Sequence, residues 1–170
     1  MPSYIDIRSD FSEVNEYLGE LGKQGKNISK YILRNIGRIT KNKVKKSYNS
    51  YLHKDTGYLY KSIKSTQSKR SLYNVVSANA RDPKTKVRYG YVQSAGATIK
   101  PKNKPYLTFQ INGKWKKMKE VRVPAKNFME EPANKYLKST AIKQDIDKYL
   151  QKKLDQLEKQ GKITIESVEE

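Results

Sequence analysis

An α+β fold is what the sequence predicts: two N-terminal helices and a C-terminal helix packed on a small antiparallel sheet, with a β-hairpin projecting from it. Three observations predict it. Apolar residues recur at helical spacing over 11–21, 28–52 and 133–157. Strand-forming residues cluster between 63 and 93. Asn112-Gly113 separates two further strand-like runs and supplies the two positive-φ positions of a type I′ turn. No internal repeat or long linker divides the 170 residues, so a single domain over 1–162 is expected, followed by a flexible acidic tail at 163–170.

Residues 1–9 read as an extended start. Asp10 or Ser12 can cap a first helix, in which Phe11, Val14, Leu18 and Leu21 share one side. Glycines at 19, 22 and 25 predict a bend or break near 22–26. Asn27 or Ser29 opens a longer helix whose stripe is Ile28, Ile32, Ile36, Ile39, Val44, Tyr48 and Leu52. Lys30, Arg34, Arg38, Lys41, Lys45 and Lys46 fall largely off that stripe, and such a basic side either tracks phosphates or is simply solvated. Gly37 inside the helix costs about 1 kcal/mol relative to Ala, which predicts a close packing contact there.

Asp55 or Thr56 is placed to cap a short helical turn at 58–62, with Gly57 relieving the backbone before it. Strands are expected at 63–68, 72–78 and 87–93, with a turn at Asp82-Pro83. Gly96-Ala97 and the segment from Pro101 to Pro105 then form a basic loop. Pro132 suits the first turn of a final helix, whose stripe is Ala133, Leu137, Ile142, Ile146, Tyr149, Leu150, Leu154 and Leu157. Lys143, Asp147, Lys148 and Lys152 face outward there, and Gly161 is placed to end it.

The hairpin can be read to the residue. A two-residue loop at Asn112-Gly113 pairs Ile111 with Lys114, Phe109 with Lys116 and Leu107 with Met118. Leu107, Phe109, Ile111 and Met118 then lie on one face, with Lys116 among them, so only partial burial is expected. Tyr106, Thr108, Gln110, Trp115 and Lys117 share the other face. Val121 and Val123 alternate with Glu120 and Arg122 before Pro124 ends the strand.

The stretch GATIKPKNKPYLTFQINGKWKKMKEVRVPAKNFM resembles the corresponding part of the virion morphogenesis, or tail-completion, family of tailed phages. That family has a Gly-rich loop, a Pro-Lys-Asn loop, a hairpin and a Val-Pro-Ala-basic-Pro-Phe ending. Here the ending is Val123-Pro124-Ala125-Lys126-Asn127-Phe128, with Lys126-Asn127 where the family more often has Arg-Pro. Gln93-Ser94-Ala95 stands where an acidic residue or His followed by Gly is common. Thr56-Gly57-Tyr58-Leu59-Tyr60-Lys61-Ser62-Ile63 is similar to a motif of related head–tail connector proteins. Together the matches span about a third of the chain. The resemblance implies a structural protein of the neck or tail terminus that joins a DNA-filled head to its tail as a homo-oligomeric ring. Its partners would be other neck or tail proteins, with DNA passing through; the isolated chain is allowed to be a monomer. The expected location is the virion, reached through the host cytoplasm.

Composition agrees with that reading without requiring it. The net charge is +19, and residues 26–130 carry 26 basic against four acidic groups. Such a field favours nucleic acid or an acidic protein surface. Lysines outnumber arginines 29 to 7, a bias that AT-rich coding would also produce. Lys100, Lys102, Lys104, Lys114, Lys116 and Lys117, on the loop and hairpin, are the candidates to face a partner or DNA. Thr56, Gly57, Asn112, Gly113, Pro124 and Phe128 are read as structural.

Catalytic chemistry finds no purchase. There is no Cys and one His, His53, with Asp55 its only close acidic neighbour, so neither a zinc site nor a nucleophile–base pair is expected. No enzyme activity, cofactor or metal is predicted, and no apolar run reaches membrane-spanning length. The alternative from a different class is a nucleic-acid-binding module built on the basic middle. A nuclease is a weaker third, since no clustered acidic motif supports it.

Overall fold

Isoleucines at 28, 32 and 36 set the centre of the molecule. They lie on α1 (Gly22–Tyr51), a 30-residue helix whose buried side also carries Leu33, Val44 and Tyr48. The computed structural model describes residues 4–7 as backbone, and 18–19, 22–52, 57–70, 72–81 and 88–163. The expected first helix lies mostly outside these residues; of its stripe, Leu18 is buried. The predicted break falls at Gly22, at φ +53°, so the long helix starts earlier than the Asn27 or Ser29 cap anticipated. Gly25 sits inside the helix against the Leu18 carbonyl, where a Cβ would collide.

One side of α1 packs on a three-stranded antiparallel sheet of order β1-β3-β2, formed by β1 (Tyr4–Ile7), β2 (Ile63–Gln67) and β3 (Asn74–Ala78). The pairs Ile63/Ala78, Ser65/Val76 and Gln67/Asn74 share one face, and Ile63, Val76 and Ala78 are almost fully buried. Gly37 of α1 abuts the Asn74 amide so closely that no Cβ fits, which is the packing contact its presence in the helix predicts. Ser65 Oγ donates to Asn74 Oδ1 at 2.8 Å, and Asn74 Nδ2 donates to Gln67 Oε1 at 3.3 Å, so this polar end of the core is bonded rather than apolar.

The short turn α2 (Tyr58–Ser62) lies where the sequence placed it. Gly57 itself is the N-cap, at φ 70°, and has no side chain with which to cap the helix. Thr56 and Asp55, the expected caps, lie outside the described residues.

The segment expected as a strand at 87–93 is instead a helix, α3 (Tyr89–Ala95). Its aromatic residues suggest a strand, but Gly90 and Ser94, four apart, form a small buried side. Gly90 lets the helix close on the sheet: an added Cβ would stand 2.5 Å from the Ala78 carbonyl oxygen and 3.0 Å from Leu59.

The single final helix is also corrected. It is two: α4 (Glu130–Leu137) and α5 (Thr140–Lys159). Ser139 breaks them, extended at φ −89°, ψ 158°, with its hydroxyl donating to the Tyr136 carbonyl at 2.7 Å. The step of five from Leu137 to Ile142 in the stripe is the sequence trace of that break. Pro132 does sit in the first turn of α4. Both helices pack on α1. The end of α5 is a Schellman motif: Gly161 at φ +63°, its N–H on the Glu158 carbonyl at 2.8 Å, and the Lys162 N–H on the Leu157 carbonyl at 3.0 Å. Ile163, assigned to the tail from sequence, packs partly buried against the core; 164–170 lie outside the described residues.

Candidate functional site

Between Gly96 and Pro124 the chain leaves the body and returns. Three residues out, β4 (Ala97–Ile99), pair antiparallel with three residues back, β7 (Val121–Val123). Beyond this base, β5 (Leu107–Ile111) and β6 (Lys114–Met118) form the predicted hairpin in the predicted register, from Ile111↔Lys114 to Leu107↔Met118. Asn112 at φ 49° and Gly113 at φ 76° make the turn. The hairpin projects, as expected, on a base of its own. The two ladders are separate sheets whose strands touch chiefly their own partner, and the spacing of the sequence does not predict the pairing of β4 with β7. Ala97, expected in a loop with Gly96, starts β4, a strand whose three residues are too few to show alternation.

The root of this arm is fixed by backbone. Gly96 is held at φ +74°, and a Cβ there would stand 2.8 Å from the Ala125 nitrogen and 2.9 Å from the Val123 oxygen. The Lys126 and Asn127 N–H groups donate to the Gln93 and Ser94 carbonyls at 3.1 and 3.0 Å, tying the return strand to the end of α3. Phe128 then plugs the core, fully buried and edge-on to Tyr48 with ring centroids 5.5 Å apart. Asn127 has φ 48°, which a proline ring fixed near −65° cannot adopt. The position where the phage family more often has Pro therefore has a different backbone in this chain.

What the arm shows to water is unusual. Trp115 is 69% exposed, Ile111 50% and Met118 46%, with Tyr106 and Ile99 also exposed. Leu107 and Phe109 are half-buried, the partial burial expected of a face interrupted by Lys116. A two-stranded ribbon has no second layer to cover either face, and such a hairpin alone is marginal in water. Residues 97–123 carry eight Lys or Arg and one carboxylate. That carboxylate, Glu120, meets Lys100 at 3.5 Å beside the base ladder. Lys102 and Lys104 stand exposed on the loop, and Lys114, Lys116 and Lys117 stand exposed on β6. All six candidate lysines are thus gathered on one projection, whereas Phe128 lies in the core and Pro124 at the root. Aromatic and aliphatic groups rimmed by cations mark an interaction surface. The same lysines also keep exposed strand edges from pairing with other chains.

Among the described residues, no three His, Asp or Glu side chains gather where they could hold a metal ion, and no helix is long and apolar enough to cross a membrane. Compared with known protein families, curated proteins and solved structures, the chain matches none.

Proposed function

We propose that this chain is a structural protein of a phage particle, placed at the neck or tail terminus, where copies form a ring around the DNA passage and the arm docks on a neighbouring neck or tail protein. The observation that carries the reading is the arm: a rooted, basic projection with Trp115, Ile111 and Met118 in water, built from the stretch that resembles tail-completion proteins. Such a projection gains by insertion, because covering its apolar face against a partner removes area from water at about 25 cal/mol per Å². Its charge selects an acidic partner surface. In this reading the work is assembly, without catalysis or cofactor.

The test is a phage in which Lys102, Lys104, Lys116 and Lys117 are all reversed to Glu. The reading expects DNA-filled heads and separate tails that fail to join, or joined particles that eject poorly, seen by electron microscopy and plating. Normal particles at normal titre would remove the arm's charge from assembly. Plasmid incubated with the pure protein and Mg²⁺ or Mn²⁺ should stay intact; cleavage lost in an acid-to-Ala variant would turn the reading toward a nuclease.

A nucleic-acid-binding role has its own supporting observation. The 30 residues of α1 contain nine Lys or Arg and no Asp or Glu.

A further inference from the structure

That helix, together with α5, carries a surface the arm does not explain. Lys26, Lys30, Arg34, Arg38, Lys41 and Lys45 recur every three or four residues, so they line one side of α1 over ~28 Å. Among the described residues, the partners these side chains have are neutral. Lys30 Nζ donates to the Lys69 carbonyl at 2.8 Å. Arg38 reaches Asn35 Oδ1 at 3.3 Å and the Tyr149 hydroxyl at 3.4 Å. Lys45 lies over the Tyr60 ring at 4.6 Å. At the N-terminal half of the line, α5 closes an open cleft of about 280 Å³ against α1. Lys30, Arg34, Lys153 and Lys162 line it, and among the described residues no lining residue has a carboxylate. Among the described residues, Lys153 and Lys162 bond to the amide oxygens of Gln156 and Gln160, each at 2.9 Å.

Coding bias toward lysine does not account for this. In α5, 20 residues long, lysines alternate with Asp145, Asp147, Asp155 and Glu158, the ordinary pattern of a solvated helix. Asp145 accepts from Tyr136 and Asp155 from Gln151, so these carboxylates are engaged away from the cleft. Around the cleft, by contrast, every charged residue among the described lining residues is a cation.

We propose that the α1–α5 cleft and the basic line running from it bind the sugar–phosphate backbone of duplex DNA, without reading its sequence. A straight ~28 Å row of cations matches a regular run of phosphates, spaced about 3.4 Å apart along each strand's axis, over most of a duplex turn. Binding is driven by release of the counterions that both surfaces hold when apart. Single strands are disfavoured because the aromatic ring in the cleft is taken. Tyr31 sits in a T-shaped pair with Tyr149 at 6.1 Å and under Lys153 at 5.6 Å, so the ring is already engaged where a base would have to stack. Contacts of this kind hold DNA loosely enough for it to slide. The inference does not depend on the neck reading, since it concerns the isolated chain and another surface.

The test is fluorescence anisotropy of the full chain with a labelled duplex of arbitrary sequence, titrated at several salt concentrations. Parent protein should bind in the micromolar range at low salt, and log K should fall linearly with log salt. Changing Lys30, Arg34, Lys153 and Lys162 together to Gln should flatten that slope by about 3 to 4, since each phosphate contact contributes about 0.9. Circular dichroism melting checks that the variant is folded. Should it not fold, Arg34→Glu alone, at an exposed position, should weaken binding about tenfold at low salt. The arm variant, with Lys102, Lys104, Lys116 and Lys117 reversed, should keep more of the parent slope than the cleft variant. The proposal is overturned if the cleft variants bind like the parent, if no duplex binds at low salt, or if poly-glutamate of equal charge displaces the duplex as well as unlabelled duplex does. That last result would make an acidic protein the occupant.

Discussion

Helix α1 and the arm are the two most basic parts of the chain, and they treat their apolar residues in opposite ways. In α1 Ile28, Ile32 and Ile36 are at most 1% exposed, while in the arm Trp115 is 69% exposed. The difference lies in layering. A helix has one apolar stripe, and here a sheet and two helices cover it. A two-stranded ribbon has two faces and no second layer over them, so most of its apolar residues stay wet and the best covered, Leu107 and Phe109, are only half-buried. Amphipathic spacing therefore tells which residues share a face, and only the surrounding elements tell whether that face is covered.

The largest test of this contrast is Phe128→Ala at the point where the arm joins the body. Loss of a fully buried ring should cost about 3–5 kcal/mol in urea unfolding. A cost under about 1 kcal/mol would mean the core closes without it. Next is Gly96→Ala at the root. A Cβ there meets backbone on two sides at positive φ, so a loss of about 1–3 kcal/mol is expected. Ordering of the arm should fall as well, seen as faster amide exchange in β4 and β7.

Tyr136→Phe gives a smaller effect and a pH signature. The Tyr136 ring is buried and its hydroxyl donates to Asp145 at 2.7 Å. Burial first, then the hydrogen bond and charge of Asp145, push its pKa well above the ordinary phenol value. Burial raises Tyr48 in the same direction. Unfolded tyrosine releases its proton near pH 10 while the folded residue keeps it, so above about pH 10 the unfolded state binds fewer protons and stability falls as pH rises. The variant should lose about 1 kcal/mol at neutral pH and show a shallower decline on the alkaline side. An unchanged alkaline slope would show that other groups control it.

The smallest effects belong to the arm. Trp115→Ala, and the reversal of Lys102, Lys104, Lys116 and Lys117 to Glu, should each leave stability of the isolated protein within about 0.5 kcal/mol. A larger loss from Trp115→Ala would mean the ring is covered in the free protein, and the contrast between arm and body would dissolve.

Much of this architecture was legible. The hairpin's register followed from Asn112-Gly113, because only a tight positive-φ turn fits that dipeptide between two extended runs. The α1 stripe followed from its isoleucines, and the contact at Gly37 from its helical cost. What stayed hidden was tertiary in origin. A seven-residue helix at Tyr89–Ala95 is too short to show a period, and its reason is the close approach of Gly90 to Ala78. The split at Ser139 shows only as a one-residue slip in the stripe. Of the candidate site, the lysines of the arm were readable in order. The cleft was not, since Lys153 and Lys162 come to Lys30 and Arg34 only through the packing of α5 on α1.

The fit of Gly37 against Asn74 has a mechanical consequence. A smooth helix on a smooth sheet can swivel or slip by one residue, about 100° and 1.5 Å, with modest loss of packing. A notch filled by a hydrogen-bonded amide permits neither, because any rotation would drive a neighbouring side chain into Asn74. The contact acts as a key in a keyway. It sets the azimuth of every side chain along α1, so the direction in which Arg34 and Arg38 point is decided on the neighbouring flank of the helix, by a residue of the sheet.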